Sequence, residues 1–243
     1  MKIMLTYPPL ESPWGHPTLG QNRQFRWFGN ASYVYPMVVA MAATMLARRG
    51  HDVLWADGVA EEWSYAEFRA RVARERPDLL VIETKTPVVK QHWRIIANVK
   101  AISPETKVVL MGDHVTAYPA ESMAMAPIDY VLTGGEFDAG LISIAEHVSS
   151  RGSLVPGIWY RDGDAVRNTG PFVLGKRSYE DRPFFDRELT KWWLYGEHLS
   201  TGRARTRWSA ATAGGRSARS AAGRRSGRAS ARARRRRCST RSA

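Results

Sequence analysis

The residues of this chain that could do chemistry gather at the ends of short apolar runs. Lys107–Thr116 reads KVVLMGDHVT, an apolar-biased run that stops at Gly112-Asp113-His114. A short unbroken apolar run closed by glycine reads as a buried parallel strand feeding a tight turn. In an open α/β sheet the residues just past a strand's carboxyl end line the ligand crevice. Gly112, His114 and Thr116 therefore stand where a ligand would lie. Three further strand ends offer similar material: Tyr7-Pro8-Pro9, Thr84-Lys85-Thr86 and Gly134-Gly135-Glu136. Together they supply small residues, hydroxyls and backbone N–H groups, with little acid–base apparatus. That surface suits a large flat ligand held by backbone and hydroxyl contacts better than it suits hydrolysis. Taken alone, His114 reads equally well as an exposed loop histidine. Glu136 has a second, lesser reading as a carboxylate favoured by the dipole of the helix it precedes.

Several chemistries lack their motifs. The first apolar run leads into Tyr7-Pro8-Pro9 rather than a G-x-G-x-x-G turn, which argues against a dinucleotide-dependent dehydrogenase. There is no Walker lysine loop, no His/Cys pair at zinc spacing and no G-x-S-x-G elbow. The single cysteine, Cys238, allows neither a disulfide nor a thiolate cluster within one chain.

The elements that must position these loops alternate regularly. Strands are predicted at Lys2–Tyr7, Asp52–Ala56, Asp78–Thr84, Lys107–Met111 and Ile128–Leu132. Helices are predicted behind Pro36 as far as Gly50, after a Ser64/Glu67 capping box, from Pro87 to Ile102, over Pro119–Ala126 and over Phe137–Ser149. Glu11–Tyr35 reads as a long loop rich in Gly, Pro, Asn and aromatic residues, a length that is usually functional or mobile. Five strand–helix alternations over 1–150, joined by right-handed crossovers, give a doubly wound, five-stranded parallel sheet of flavodoxin-like or Rossmann-like type, order 2-1-3-4-5. Residues 151–198 read as a hairpin (Gly157–Arg161, Ala165–Asn168) followed by a connecting segment.

The net charge of +13 belongs to the tail. Residues 199–243 carry 14 Arg and no acid, which leaves 22 basic and 23 acidic residues in 1–198. With few large apolar side chains to bury, the Arg/Ala-rich tail is expected to be disordered. No secretory signal and no apolar run of about 20 residues occurs, so the default expectation is a cytoplasmic protein without a membrane partner.

The order YPP, GDHVTAYPAE, IDYVLTGGEFD and VPGIWYRDGDAVRN resembles the N-terminal cobalamin-binding domain of B12-dependent radical S-adenosylmethionine enzymes, over roughly residues 1–198. Gly112, His114, Thr116 and Pro119 match that family's strand-four loop, with Asp113 displacing the usual order slightly. Gly135, Glu136 and Asp138 match its strand-five loop. The resemblance implies a corrinoid lying across the strand ends with its nucleotide tail in the sheet crevice. Joined to the strand-end reading, it gives a cofactor-contacting set of Pro8, Pro9, Thr84, Thr86, Gly112, His114, Thr116, Gly134, Gly135 and Glu136. No residue of the chain is assigned a catalytic role. The Asp-x-His-x-x-Gly signature of methionine-synthase-like B12 domains is absent, and His16 in WGHPTLG lacks that pattern, so no histidine ligand to cobalt is expected.

The resemblance also implies a following barrel with a three-cysteine motif for a [4Fe–4S] cluster and S-adenosylmethionine. Residues 199–243 do not supply it, since one thiol cannot hold a cluster. The tail reads instead as an out-of-frame product of GC-rich DNA. Shifted by one base, the codons of Ala210–Gly223 permit GRDCWWPKCTFCSW, which resembles the missing motif with four rather than three residues between its first two cysteines. On this reading the chain is a cobalamin-binding domain without its iron–sulfur catalytic domain, inactive alone. Two alternatives stay open: a nucleotide or small-ligand module of the same fold, and nucleic-acid binding through the Arg-rich tail, which fourteen positive charges would favour adventitiously in any case.

Overall fold

The computed structural model describes residues 1–19, 25–150, 152–174 and 182–195, all within a compact unit spanning Met1–Ser209. The expectation of a disordered tail over 199–243 lies outside the described residues.

Five strands buried on both faces set the architecture: β1 (Lys2–Tyr7), β4 (Asp52–Asp57), β5 (Leu79–Thr84), β6 (Lys107–Gly112) and β7 (Tyr130–Leu132). Runs such as LLVIET and KVVLMG leave no polar face to put in water, so they pair in parallel under helices. They stand in the order β4-β1-β5-β6-β7, all parallel, with β1 central between Val53 and Leu79 at Ile3.

The sheet is larger than the five strands predicted. The hairpin of β8 (Ile158–Asp162) and β9 (Ala165–Asn168) joins it, with β8 antiparallel to β7 through Tyr130 and Tyr160, so the sheet has seven strands and a mixed edge. The short β7 leaves its outer hydrogen-bonding edge open, and a hairpin that follows closely in sequence is the nearest strand able to cover it.

Helices α1 (Met37–Arg48) and α6 (Phe137–Ser150) pack against one another, as do α2 (Tyr65–Glu75) and α3 (Val89–Ile102). Small residues permit the close approach. Ala40, Ala42 and Ala43 of α1 are fully buried, and a Cβ at Gly140 of α6 would sit 2.3 Å from Leu132. The Ser64/Glu67 capping box at the start of α2 is formed in both directions. Helix α1 begins at Met37, with Pro36 as its cap, and Pro87 lies in a single 3-10 turn (Thr86–Val88) that leads into α3.

Two segments depart from the sequence reading. The stretch expected to be a long loop, 11–35, contains a short hairpin, β2 (His16–Thr18) with β3 (Arg26–Phe28). The turn expected at Gly112-Asp113-His114 opens at once into helix α4 (Asp113–Ala117), followed by α5 (Pro119–Met125). Gly112 makes this reversal with φ +120°, which L side chains rarely adopt. No helix among the described residues is long and apolar enough to cross a membrane.

Candidate functional site

Parallel pairing brings the carboxyl ends of β4, β1, β5, β6 and β7 to one rim. The strand-end loops singled out in the sequence therefore lie along a single edge, with Pro8-Pro9 after β1, Thr84-Lys85-Thr86 after β5, Gly112-Asp113-His114 after β6 and Gly134-Gly135-Glu136 after β7.

Many of these residues hold one another. Thr84 is fully buried and its Oγ1 lies 2.8 Å from Nδ1 of the equally buried His92. Burial alone pushes the His92 imidazole down to about 3, so it is neutral. Thr86 Oγ1 lies 3.3 Å from Nδ1 of His114, which is buried rather than exposed. The other ring nitrogen of His114 is 3.3 Å from Glu121 Oε2 but too poorly aligned for a hydrogen bond. Thr116 ties two loops together: its hydroxyl donates to Gly112 O at 2.8 Å and accepts from Gly134 N at 3.1 Å. Glu136 Oε1 stands 3.4 Å from the guanidinium of Arg182, whose Nε is 3.5 Å from the buried Asp138.

The three glycines differ in what surrounds them. A Cβ at Gly112 would meet Thr84 O at 2.2 Å, and one at Gly134 (φ +84°) would meet the Phe172 ring at 2.3 Å. At Gly135 none of the described residues lies within 4 Å. Gly112 and Gly134 thus serve the protein's own packing, and Gly135 leaves open space at the rim.

Sequence reasoning missed a chain of buried polar groups beneath the same edge. Tyr7 OH donates a hydrogen bond to Glu83 Oε2, joining the ends of β1 and β5. Glu83 Oε1 is 3.1 Å from Lys85 Nζ, which also reaches Asp113 Oδ2 at 2.9 Å. Burial pushes the Glu83 carboxyl up despite the Lys85 charge. Burial also works against the Lys85 ammonium, but the charge of Glu83 and the hydrogen bond that Lys85 donates to Asp113 outweigh it and raise the group. A second cluster closes the β4 end. Trp55 Nε1 donates to Tyr195 OH, and Tyr195 OH donates to Asp57 Oδ2, each at 2.8 Å. Asp57 Oδ1 accepts from Val59 N and Ala60 N. The available signal was an acid inside or at the end of an apolar run, Glu83 in LLVIET and Asp57 in DVLWAD.

Burial raises Asp57 from 3.8 to about 6 even though three hydrogen bonds pull it down. A carboxyl whose folded value is raised contributes stability that is present below its ordinary value and lost as pH rises through the folded one. Relative to Asp57→Asn, the wild-type chain is therefore expected to lose about 2–3 kcal/mol of stability between pH 4 and pH 7.5. Urea unfolding across that range checks this, and parallel pH profiles for the two proteins would refute it.

Residues 31–139, which include all of the parallel sheet after β1, match the family model of the B12 binding domain. These residues form a B12-binding domain. Over 176 residues the chain is 27% identical to an uncharacterized methyltransferase of Pyrococcus horikoshii, covering 72% of this chain and 36% of that protein. In fold the B12-binding domain is similar to TsrM, a radical S-adenosylmethionine methyltransferase from Kitasatospora setae solved with cobalamin and a [4Fe–4S] cluster. That match has a TM-score of 0.52 and 17% identity, over 70% of this chain and 30% of TsrM. It is also similar to OxsB, a cobalamin-dependent S-adenosylmethionine radical enzyme solved with aqua-cobalamin, with a TM-score of 0.54 and 12% identity over 71% and 22% of the two chains. The chain thus spans about a third or less of the length of these relatives.

Proposed function

We propose that this chain holds cobalamin across the carboxyl rim of its sheet, as the cofactor-binding domain of a radical S-adenosylmethionine enzyme of methyltransferase type. The observation that carries this is the coincidence of the B12-binding match over 31–139 with a rim built from Thr84-Lys85-Thr86, Gly112-Asp113-His114 and Gly134-Gly135-Glu136.

The donor set fits the group. A corrinoid is a large, mostly neutral macrocycle fringed by amides, and the rim's charges are largely balanced from within: Lys85 lies between Glu83 and Asp113, and Arg182 lies against Glu136 and Asp138. Pro9, Thr86 and Gly135 then contribute shape and backbone contacts, while Pro8 is itself buried and holds the turn after β1. Thr84, Gly112, Thr116, Gly134 and Glu136 act one step back by holding the loops in place. His92 and His114 are buried in the protein, which agrees with a cobalt that takes no histidine from this rim. With the ends of β1 and β5 joined by Tyr7 and Glu83, this reading sets the nucleotide tail over β6 and β7, where Gly135 is open.

When bound, cobalamin would supply a redox-active cobalt; the chain's part would be to bind and orient it. The [4Fe–4S] cluster and S-adenosylmethionine belong, on this reading, to the rest of a longer enzyme. A cytoplasmic location fits a chain with one cysteine, and any nucleic acid held by the 14 arginines of the tail would be a salt-sensitive by-product.

Titration of the chain with hydroxocobalamin is expected to shift the visible corrin bands. Gly135→Val should weaken this binding about tenfold while leaving thermal stability nearly unchanged, because its side chain enters space that none of the described residues occupies. A folded protein that leaves the corrin spectrum unmoved at high concentration would overturn the proposal.

A further inference from the structure

The β2–β3 hairpin builds a second surface beside the rim. Trp14, Phe25, Arg26, Trp27 and Pro87 line a groove of about 440 Å³ that opens to solvent, within the size range of small-molecule sites. Pro87 directly follows Thr86, so the groove adjoins the end of β5. Phe25 and Trp27 meet edge to face, with ring centroids 5.2 Å apart and planes at 84°, and both are packed against the hydrophobic core. They form a fixed wall rather than a loose pair. Trp14 behaves differently, standing 73% exposed at the mouth. Indole is among the most costly side chains to leave in water, and tryptophan is on average well buried. Arg26 adds a cation with five donors on the same lining.

The matched B12-binding region begins at residue 31, after the hairpin ends at Phe28. The hairpin therefore lies outside the part of the chain that the family match describes.

We infer that this hairpin is the wall that takes one face of the corrin, with Trp14 lying against the macrocycle and Arg26 donating to its peripheral amides; the inference rests on the cobalamin reading above. A corrin face is broad, flat and apolar, whereas its fringe consists of hydrogen-bonding amides. An aromatic wall with one guanidinium at its edge, next to a rim of small neutral residues, complements both parts.

The test compares two probes, hydroxocobalamin and cobinamide, the latter a corrinoid without the nucleotide. Each is titrated into the full chain and followed by the visible spectrum. Trp14→Ala is expected to weaken both about tenfold, as loss of one aromatic face should, and Trp14→Phe should stay within about twofold of wild type. Trp14 is exposed, so its replacement leaves the core intact, and an unchanged far-ultraviolet circular dichroism spectrum confirms that. If Trp14→Ala binds both probes like wild type, the inference falls and the cobalamin reading stands. If it loses cobalamin but not cobinamide, the wall serves the nucleotide and the inference is overturned. If the folded wild type binds neither probe, the cobalamin reading itself falls.

Discussion

Lys85→Met is expected to cost the domain about 3–5 kcal/mol at pH 8 and distinctly less at pH 5. Lys85 and Glu83 are each about 5% exposed, and their side chains face one another at 3.1 Å. Removing the ammonium leaves Glu83 buried with Tyr7 as its remaining polar partner. A buried carboxylate without a counter-charge either carries a large desolvation penalty or takes up a proton. Burial already holds Glu83 above its ordinary range, and in the variant it climbs further. For an acid with a raised folded value, the stabilising contribution is present below the unfolded value and lost as pH rises through the folded one. The variant should therefore weaken steadily from pH 5 to pH 8, more steeply than wild type. Adding Glu83→Gln should return much of the loss, since a neutral amide can still accept from Tyr7. Urea melts at the two pH values measure all three proteins; a Lys85→Met protein as stable as wild type at pH 8 would show that the pair contributes nothing to the fold.

Gly112→Val should be worse, costing roughly 4 kcal/mol or more and in practice leaving little folded protein. Two independent obstacles meet there. The backbone sits at φ +120°, and the added Cβ would lie 2.2 Å from the carbonyl oxygen of Thr84, in a fully buried strand that cannot retreat. Neither obstacle involves a ligand, so cobalamin should not rescue the variant. Gly135→Ala offers the contrast, with open space and no positive φ, and should melt within a degree or two of wild type. Comparable destabilisation in both variants, read by thermal melting, would contradict the separation of roles drawn between these glycines.

What could be read from the sequence was what periodicity and punctuation encode. The strands LLVIET and KVVLMG are apolar on both faces, and that pattern admits few alternatives to a covered parallel sheet. The capping box at Ser64 and Glu67 is local chemistry and needs no tertiary knowledge. The hairpin within 11–35 escaped because its strands, HPT and RWF, are three residues long and one carries a proline in its middle, which usually argues against a strand. The buried network escaped for a different reason. Tyr7 and Glu83 lie 76 residues apart, and Asp57 and Tyr195 lie 138 apart. Such pairs are brought together by strand register and chain return, which no window of sequence contains. The loops of the candidate site could be located from the sequence, but it could not say which of their side chains the fold itself consumes. Thr116 offers its hydroxyl to two backbone groups, and His114 turns inward between Trp93 and Tyr118.

The segment 182–195 returns to the domain at several points. Arg182 meets Glu136 and Asp138, the Asp186 amide donates to Thr44, Lys191 pairs with Glu61 at 2.8 Å, and Tyr195 lands on Asp57. Its last anchor is at the carboxyl end of β4, on the rim that gathers the candidate loops. The return therefore works as a clasp, since one short segment is fastened to α1, to the start of α6 and to the end of β4. Release of the segment and opening of the sheet should then be a single cooperative event rather than two. Tyr195→Phe, which removes the hydroxyl shared by Trp55 and Asp57, would uncouple them.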